Sequence, residues 1–174
     1  MKILDKVLVM AYLQTKDEFA FRMLYQRHAQ ALWKVAIYQC NGDKNLAEEI
    51  TQESWIRAVQ GLERFEWRCS LRTWLTKIII NRCREYYRTI PNQSGLIGMA
   101  YHVPGPDHAL ELKDTVSLVA ELPEGYRTIL LLHDLEGYRH EEIAIMLDIA
   151  PGTSKSQLHQ ARKAFRKLFE NQNK

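Results

Sequence analysis

Cations at helical spacing are the first feature of this 174-residue chain that could do chemistry. If residues 71–88 form a helix, Lys77, Asn81, Arg84 and Arg88 lie within about 60° of one another around its axis. Three positive charges and an amide in such a row suit the phosphates along a nucleic-acid backbone. A solvated helix face without a ligand fits the same pattern, so the row leaves both interpretations open.

A short segment that mixes aromatic and basic residues precedes this row. It spans residues 65–70 and places Trp67 beside Arg68. Aromatic rings stack on unpaired bases for about 1–3 kcal/mol per base, and guanidinium groups hold phosphates. The segment therefore predicts contact with single-stranded DNA, with the alternative that Phe65 and Trp67 close the end of a helical bundle.

The end of the chain has the pattern of a helix-turn-helix. A short helix is expected over residues 140–147, a tight connection over residues 148–151, and a long helix after it. One side of the long helix is apolar. The other offers hydrogen-bonding groups early and cations later, as in a recognition helix that reads bases and holds phosphates. This polar side comprises Lys155, Ser156, His159, Gln160, Lys163 and Arg166.

An acidic face is predicted on a helix that begins near Asp43. Glu48, Glu49, Gln52 and Glu53 share it. A solvated surface is the simplest interpretation, and paired carboxylates could also bind a metal. The chain has no H-E-x-x-H, no glycine-rich phosphate loop and no G-x-S-x-G motif, so we do not expect an enzyme.

Composition and charge indicate a folded chain with basic and acidic parts. With 46% hydrophobic residues the chain can bury the cores of one domain or two small ones. Residues 64–88 hold seven basic and two acidic residues, and residues 150–174 hold six and one. Between them, residues 107–142 hold nine acidic and three basic residues. The basic islands favour a phosphate-rich partner.

The cysteines and the N-terminus indicate a cytoplasmic protein. The three cysteines are scattered and form no C-x-x-C pair, which fits a reducing compartment. The apolar run over residues 7–13 is too short to span a bilayer and is expected to form a first helix.

Hydrophobic periodicity predicts helices and no strand. Thr15 and Glu18 form a capping box that is expected to open one helix, and Ser70 is expected to open another. Residues 91–106 hold three of the five prolines and three of the eight glycines, which is typical of a linker. Four further helices are expected at residues 114–121, 123–135 and 140–147 and from residue 151 onward. The predicted fold is all-α: two small helical domains over residues 1–90 and 113–174, joined by a flexible linker over residues 91–112.

Short segments spread over the chain follow the order of a known family. Residues 47–55 resemble its A-E-D-l-x-Q-e-x-F segment, and residues 65–88 resemble F-x(4)-s-l-r-t-W-L-x-x-I-x-x-N-x(6)-R. The segments LPEGYR, EGY, EIA and GTSKS after the linker resemble its promoter-binding domain. The chain thus resembles the sigma factors of bacterial RNA polymerase, in the sigma-70 group called extracytoplasmic-function sigma factors.

The resemblance implies a role in transcription initiation. Its expected partners are core RNA polymerase, promoter DNA and an anti-sigma protein. The contacts with polymerase are expected at the clamp helices of the largest subunit and at the flap. It implies no cofactor, no metal and no small-molecule substrate.

The resemblance also assigns residues to three surfaces. The polymerase surface comprises Glu48, Glu49, Gln52, Glu53 and Trp55. The minus-ten DNA surface comprises Trp67, Arg68, Arg72, Lys77, Asn81, Arg84 and Arg88. The minus-35 DNA surface comprises Thr153, Lys155, Ser156, Gln157, His159, Gln160 and Lys163.

Six positions depart from the family pattern, among them Ala150, which stands where a serine cap is common. Arg139 stands where a Ser or Thr helix cap is usual, which is expected to weaken that helix start by about 1 kcal/mol. Asp148 replaces a turn glycine, whose geometry Asp tolerates. Ser154 replaces a valine on the arc expected to be buried. Gln157 and Gln160 replace commonly basic residues, and glutamine can pair with adenine.

Two other classes of protein fit parts of the pattern. A stand-alone helix-turn-helix regulator would use only the C-terminal domain. A metal-dependent nuclease would use Glu48, Glu49 and Glu53.

Overall fold

The structure, a computed structural model, describes residues 4–89, 118–119 and 121–172. The described residues contain helices, turns and short connections and no strand, so the all-α prediction is confirmed. The predicted linker and most of the helix predicted over residues 114–121 lie outside the described part of the chain.

Residues 4–89, the described part of the N-terminal module, contain four helices. They are α1 (Asp5–Thr15), α2 (Glu18–Gln39), α3 (Lys44–Gly61) and α4 (Leu71–Thr89), with a 3₁₀ turn at Leu62–Arg64. Helices α2, α3 and α4 pack against one another because each buries an apolar stripe. The fully buried side chains of this core include Leu24, Leu32, Ile50, Ile79 and Ile80.

Residues 121–172 of the C-terminal module contain three helices. They are α5 (Glu124–Leu130), which continues as a π-helical turn over Leu131–Leu135, α6 (His140–Leu147) and α7 (Pro151–Gln172). Helix α7 packs against both α5 and α6. The core between them includes Ile129, Leu132, Ile143, Met146 and Leu158.

The start of α2 differs from the prediction. Thr15 does not cap it: α1 continues through Thr15, whose hydroxyl donates to the Ala11 carbonyl at 3.0 Å. The cap is Asp17, whose carboxylate accepts a hydrogen bond from the Phe19 amide at 2.9 Å. The Thr15 prediction is wrong because a second capping residue, Asp17, immediately precedes the first helical residue Glu18.

The starts of α3 and α4 agree with the prediction. The Asp43 carboxylate accepts a hydrogen bond from the Leu46 amide at 3.0 Å. Ser70 Oγ accepts one from the Thr73 amide at 3.1 Å. Each bond satisfies an amide that would have no partner inside the helix.

Two turns position helices α4 and α7. Gly61 ends α3, and a side-chain carbon there would lie 3.1 Å from the Trp74 ring of α4, so the glycine allows close packing. Asp148 follows α6 in the left-handed conformation, with φ of 58°, as the sequence predicts. This tight turn sets the direction in which α7 leaves α6.

Candidate nucleic-acid interface

Helix α7 presents the polar face that the sequence predicts. Six of the seven residues predicted to contact the minus-35 element are exposed, and Gln157 is half-buried. On the opposite side, Leu158 and Ala161 are buried in the C-terminal core. The face is therefore open to a large ligand along its length, with polar groups near the N-terminus of the helix and Lys163 farther along.

Ser154 is a polar residue on the buried arc of α7, where it has a hydrogen-bond partner. It is fully buried, and its hydroxyl hydrogen-bonds to Nδ1 of His140 at 2.9 Å. The His140 ring stacks on His133 at 4.6 Å between centroids. Because burial and the neighbouring His133 disfavour the charged ring, the pKa of His140 lies below its usual value. The sequence located the serine on the buried arc but not its partner.

Helix α6 begins without a Ser or Thr cap. The Arg139 side chain makes no cap hydrogen bond, while the Glu142 carboxylate accepts one from the Arg139 amide at 3.1 Å. Glu142 thus satisfies one of the free amides at the start of this helix.

The loop before α4 carries two aromatic rings, Phe65 and Trp67, and Phe65 stacks on Trp74 of α4. The Phe65 ring is buried and lies 4.8 Å from Trp74 and 4.7 Å from Trp67. Phe65 therefore closes the end of the bundle, whereas Trp67 lies half-buried outside it. Arg68 is exposed and pairs with its neighbour Glu66, at 2.6 Å between Nη2 and the carboxylate.

The predicted row of cations lies along α4. Asn81, Arg84 and Arg88 are exposed and Lys77 is half-buried. Arg84 lies 3.9 Å from the Glu124 carboxylate of the C-terminal module. The structure thus brings the row together on one helix.

Arg72 belongs to the same predicted surface and has different surroundings. Its Nη2 lies 2.8 Å from the Glu136 carboxylate, and its guanidinium group lies 4.5 Å from the centre of the Tyr138 ring. Two threonines next to it are fully buried: Thr73 donates to the Glu142 carboxylate at 2.8 Å, and Thr76 hydrogen-bonds to the Tyr138 hydroxyl at 2.7 Å.

The C-terminal module therefore covers this part of α4. A second contact lies at the other end of the modules, where Gln39 donates to the Thr128 hydroxyl at 3.1 Å and the Arg127 guanidinium hydrogen-bonds to Asn41. Burial lowers the pKa of Arg127. Sequence reasoning missed these contacts, because the type and spacing of a threonine or tyrosine do not reveal which neighbour will cover it.

Helix α3 exposes three of the five predicted polymerase residues: Glu48, Glu49 and Gln52. Glu53 is half-buried and hydrogen-bonded to the Arg82 guanidinium, which holds the pKa of its carboxyl below the usual range.

Trp55 lies in the core rather than on the surface. It is 9% exposed, with its ring 5.1 Å from Tyr25 and 6.0 Å from Phe21. Trp55 therefore anchors α3 on α2. The acidic face of α3 remains exposed.

Two further observations concern metal binding and membrane crossing. Among the described residues, no three His, Cys, Asp or Glu side chains are grouped so that they could hold a metal ion. No described helix combines the length and apolar character needed to cross a membrane.

Comparison with known proteins matches each of the two modules to a region of one protein family. Residues 24–90 match the model of Sigma-70 region 2, and residues 113–165 match that of Sigma-70, region 4. These are the DNA-binding regions of a class of transcription initiation factors. The ECF RNA polymerase sigma-E factor of Salmonella typhimurium is 31% identical, over 94% of this chain and 93% of its own.

Two more distant relatives agree. The ECF RNA polymerase sigma factor SigM of Bacillus subtilis is 26% identical over 84% of this chain and 93% of its own. The solved structure of the sigma factor RpoE with the anti-sigma factor NepR, from Bartonella quintana, has a TM-score of 0.71 and 24% identity, covering 86% of this chain and 96% of that one. The chain belongs to the sigma-70 family, in its extracytoplasmic-function group, and is a sigma factor.

Proposed function

We propose that this sigma factor brings core RNA polymerase to a subset of promoters through three separate surfaces. One observation carries the proposal: each of the two modules matches a different sigma-70 region. Each module also exposes cations and hydrogen-bonding groups on one of its helices. The promoter sequence itself would be read by the helix-turn-helix and by the loop and helix that precede the linker.

Helix α7 would read the minus-35 element in the major groove. Thr153, Lys155 and Ser156 are exposed in its first turns, where a recognition helix meets base edges. His159, Gln160 and Lys163 follow, with Gln157 at the margin of the face, and Lys163 is placed to hold a phosphate.

The loop before α4 would capture the minus-ten element as a single strand. Trp67 rests on Phe65 and has a ring face available to an unpaired base, the kind of contact that stacking proteins use. Arg68, Asn81 and Arg88 are exposed beside it for the phosphates. Half-buried Lys77 belongs to the same surface, as do Arg72 and Arg84, which pair with glutamates of the C-terminal module.

Helix α3 would bind the clamp helices of the largest polymerase subunit with Glu48, Glu49 and Gln52. Glu53, oriented by Arg82, lies at the edge of the same face. An acidic surface of this kind fits a basic partner. A contact of the C-terminal module with the polymerase flap belongs to the same proposal.

An anti-sigma protein is the expected regulator. The similar structure from Bartonella quintana is that of a sigma factor with its anti-sigma factor bound. We place the protein in the cytoplasm, where its polymerase and DNA are found. Like the other members of its family, the chain would have no catalytic activity of its own.

Run-off transcription with purified components tests the proposal. The purified chain is mixed with core polymerase and genomic fragments, and we expect a stable complex and transcripts with defined start sites. A Glu53→Arg variant should bind polymerase more weakly, while Lys34→Glu, on the exposed side of α2, serves as a charge-changing control. Duplex binding without polymerase binding would instead identify a stand-alone helix-turn-helix regulator, and magnesium-dependent cleavage by the pure protein a nuclease.

A further inference from the structure

Two cysteines meet in the core of the N-terminal module and have no role in the proposed function. Cys40 directly follows α2, and Cys83 lies inside α4. Both are free thiols, and each is 2% exposed. Helices α2 and α4 pack against each other, and the two thiols hydrogen-bond across this packing. The fold thus brings together two sulfur atoms that are distant along the chain.

The surroundings of this pair make it slow to react while the module is fully closed. The hydrogen bond to Cys83 and burial raise the pKa of the Cys40 thiol. Because the thiolate is the reactive form of cysteine, a raised pKa protects the pair from mild oxidants. Oxidation therefore requires a local opening that exposes one of the two sulfur atoms.

Cys40 lies where such an opening is easiest. It is the residue at which α2 ends, and the next two residues, Asn41 and Gly42, turn the chain with φ of 53° and 85°. Helix ends open at a lower free energy than helix interiors do. Movement at this end also allows the sulfur atoms to approach to the length of a disulfide bond, about 2 Å.

We propose that Cys40 and Cys83 form a modification site, at which hydroperoxide oxidants join the two helices by a reversible disulfide. One thiol takes an oxygen atom from hydrogen peroxide and becomes a sulfenic acid, and one water leaves. The sulfur of the second thiol then bonds to the first sulfur, and the oxygen leaves as a second water. The two thiols thereby lose two protons and two electrons to the peroxide, and a thiol reductant restores them.

The disulfide would stabilise the N-terminal module. It closes the chain between positions 40 and 83, which includes all of α3, and so restricts the unfolded chain more than the folded one. We expect the melting temperature of the oxidised chain to rise by about 5 °C or more. This inference does not rest on the proposed function, because it concerns the free chain alone.

The third cysteine, Cys69, has to be removed for a clean test. It is half-buried in the loop before α4, and about 18 Å of helix at 1.5 Å per residue separates the first residue of α4 from Cys83. An intramolecular bond between Cys69 and Cys83 is therefore not expected in the folded chain. Cys69→Ser leaves only the proposed pair.

Oxidation of the folded full-length Cys69→Ser chain with hydrogen peroxide tests the proposal. Free thiols are then counted by alkylation in denaturant and mass spectrometry. We expect two free thiols before oxidation, none after it, and two again after treatment with dithiothreitol. The oxidised chain should remain a monomer on a non-reducing gel, yield one linked peptide that contains positions 40 and 83, and melt at the higher temperature.

Cys40→Ala in the Cys69→Ser background is the matched control, and Cys83→Ala replaces it if that variant fails to fold. Hydrogen peroxide should leave the melting temperature of the control unchanged. Two free thiols that persist in the folded Cys69→Ser chain would overturn the proposal, as would oxidation to separate sulfinic acids or a lower melting temperature of the linked chain. Loss of polymerase binding would contradict only the proposed function.

Discussion

At the scale of the residue, Trp67 combines an unusual backbone with an accessible ring. Its φ of 58° lies in the left-handed region, which costs a bulky residue about 1–3 kcal/mol and is found most often where function requires it. Contact with Phe65 at 4.7 Å holds the ring half-exposed.

Replacing Trp67 by Ala should therefore impair promoter opening and spare polymerase binding. Loss of a stacking platform worth about 1–3 kcal/mol per base corresponds to a drop of about 5- to 150-fold in open complex. Permanganate reactivity of unpaired thymines measures the opening, and affinity for core polymerase is the internal control. Normal reactivity in the variant would refute the role assigned to Trp67.

His28 is a buried histidine whose protonation is disfavoured by the fold. It is 5% exposed, and its Nε2 lies 2.9 Å from the Asp5 carboxylate, which also binds Arg27. Burial outweighs the attraction of Asp5, so the pKa of His28 lies below its usual value, as does that of His140.

These pKa values predict that stability falls in mild acid. Below a pH of about 6.5 the unfolded imidazoles take up protons that the folded ones still exclude, so the free energy of unfolding decreases as the pH falls from there towards the lower folded pKa. Urea unfolding at several pH values measures this slope. His28→Gln should flatten it, while the same change at the exposed His159 serves as control. An unchanged slope in His28→Gln would contradict the assignment.

At the scale of the element, α7 divides its surface between the core and DNA. Leu158 and Ala161 hold it in the module, and Ser154 is tied to His140. Because these contacts fix its rotation about its axis, the opposite face presents Lys155 and His159 together.

A double replacement of Lys155 and His159 by Ala should weaken binding to promoter duplex and erase protection of the upstream element. Each lost phosphate contact reduces the salt dependence of binding by about one unit of slope. Footprinting and titration at two salt concentrations check this. Lys44→Ala, an exposed lysine of the other module, is the control. An intact upstream footprint in the double variant would mean that α7 is not the recognition helix.

At the scale of the whole molecule, the two modules share buried hydrogen bonds. Thr76 with Tyr138 and Gln39 with Thr128 lie at two separate places in the contact. Modules joined in this way stabilise each other, because breaking the contact leaves polar groups without partners.

We expect the wild-type chain to unfold in urea in a single transition and Glu136→Arg to unfold in two, since separated modules lose their coupling. Circular dichroism monitors the helices, and Glu141→Arg should behave as the wild type. Two transitions in the wild type, or one in all three proteins, would show that the contact does not couple the modules.

The helices themselves could be predicted from local pattern. The starts of α3 and α4 at Asp43 and Ser70, the bounds of α6 and the Asp148 turn follow from capping and periodicity, which act within a few residues. The start of α2 was predicted at the wrong residue because Thr15 and Asp17 are both capable caps, and the continuation of α1 decides between them.

The amino-acid sequence by itself determined the all-α class, the family and the polar face of α7, since these depend on residue types at fixed spacing. Only the tertiary structure decided that Trp55 is buried, that Ser154 meets His140, and that Arg72 faces Glu136. The physical reason is distance along the chain. Arg72 and Glu136 lie in different modules, and no local spacing specifies which charges meet when two modules pack.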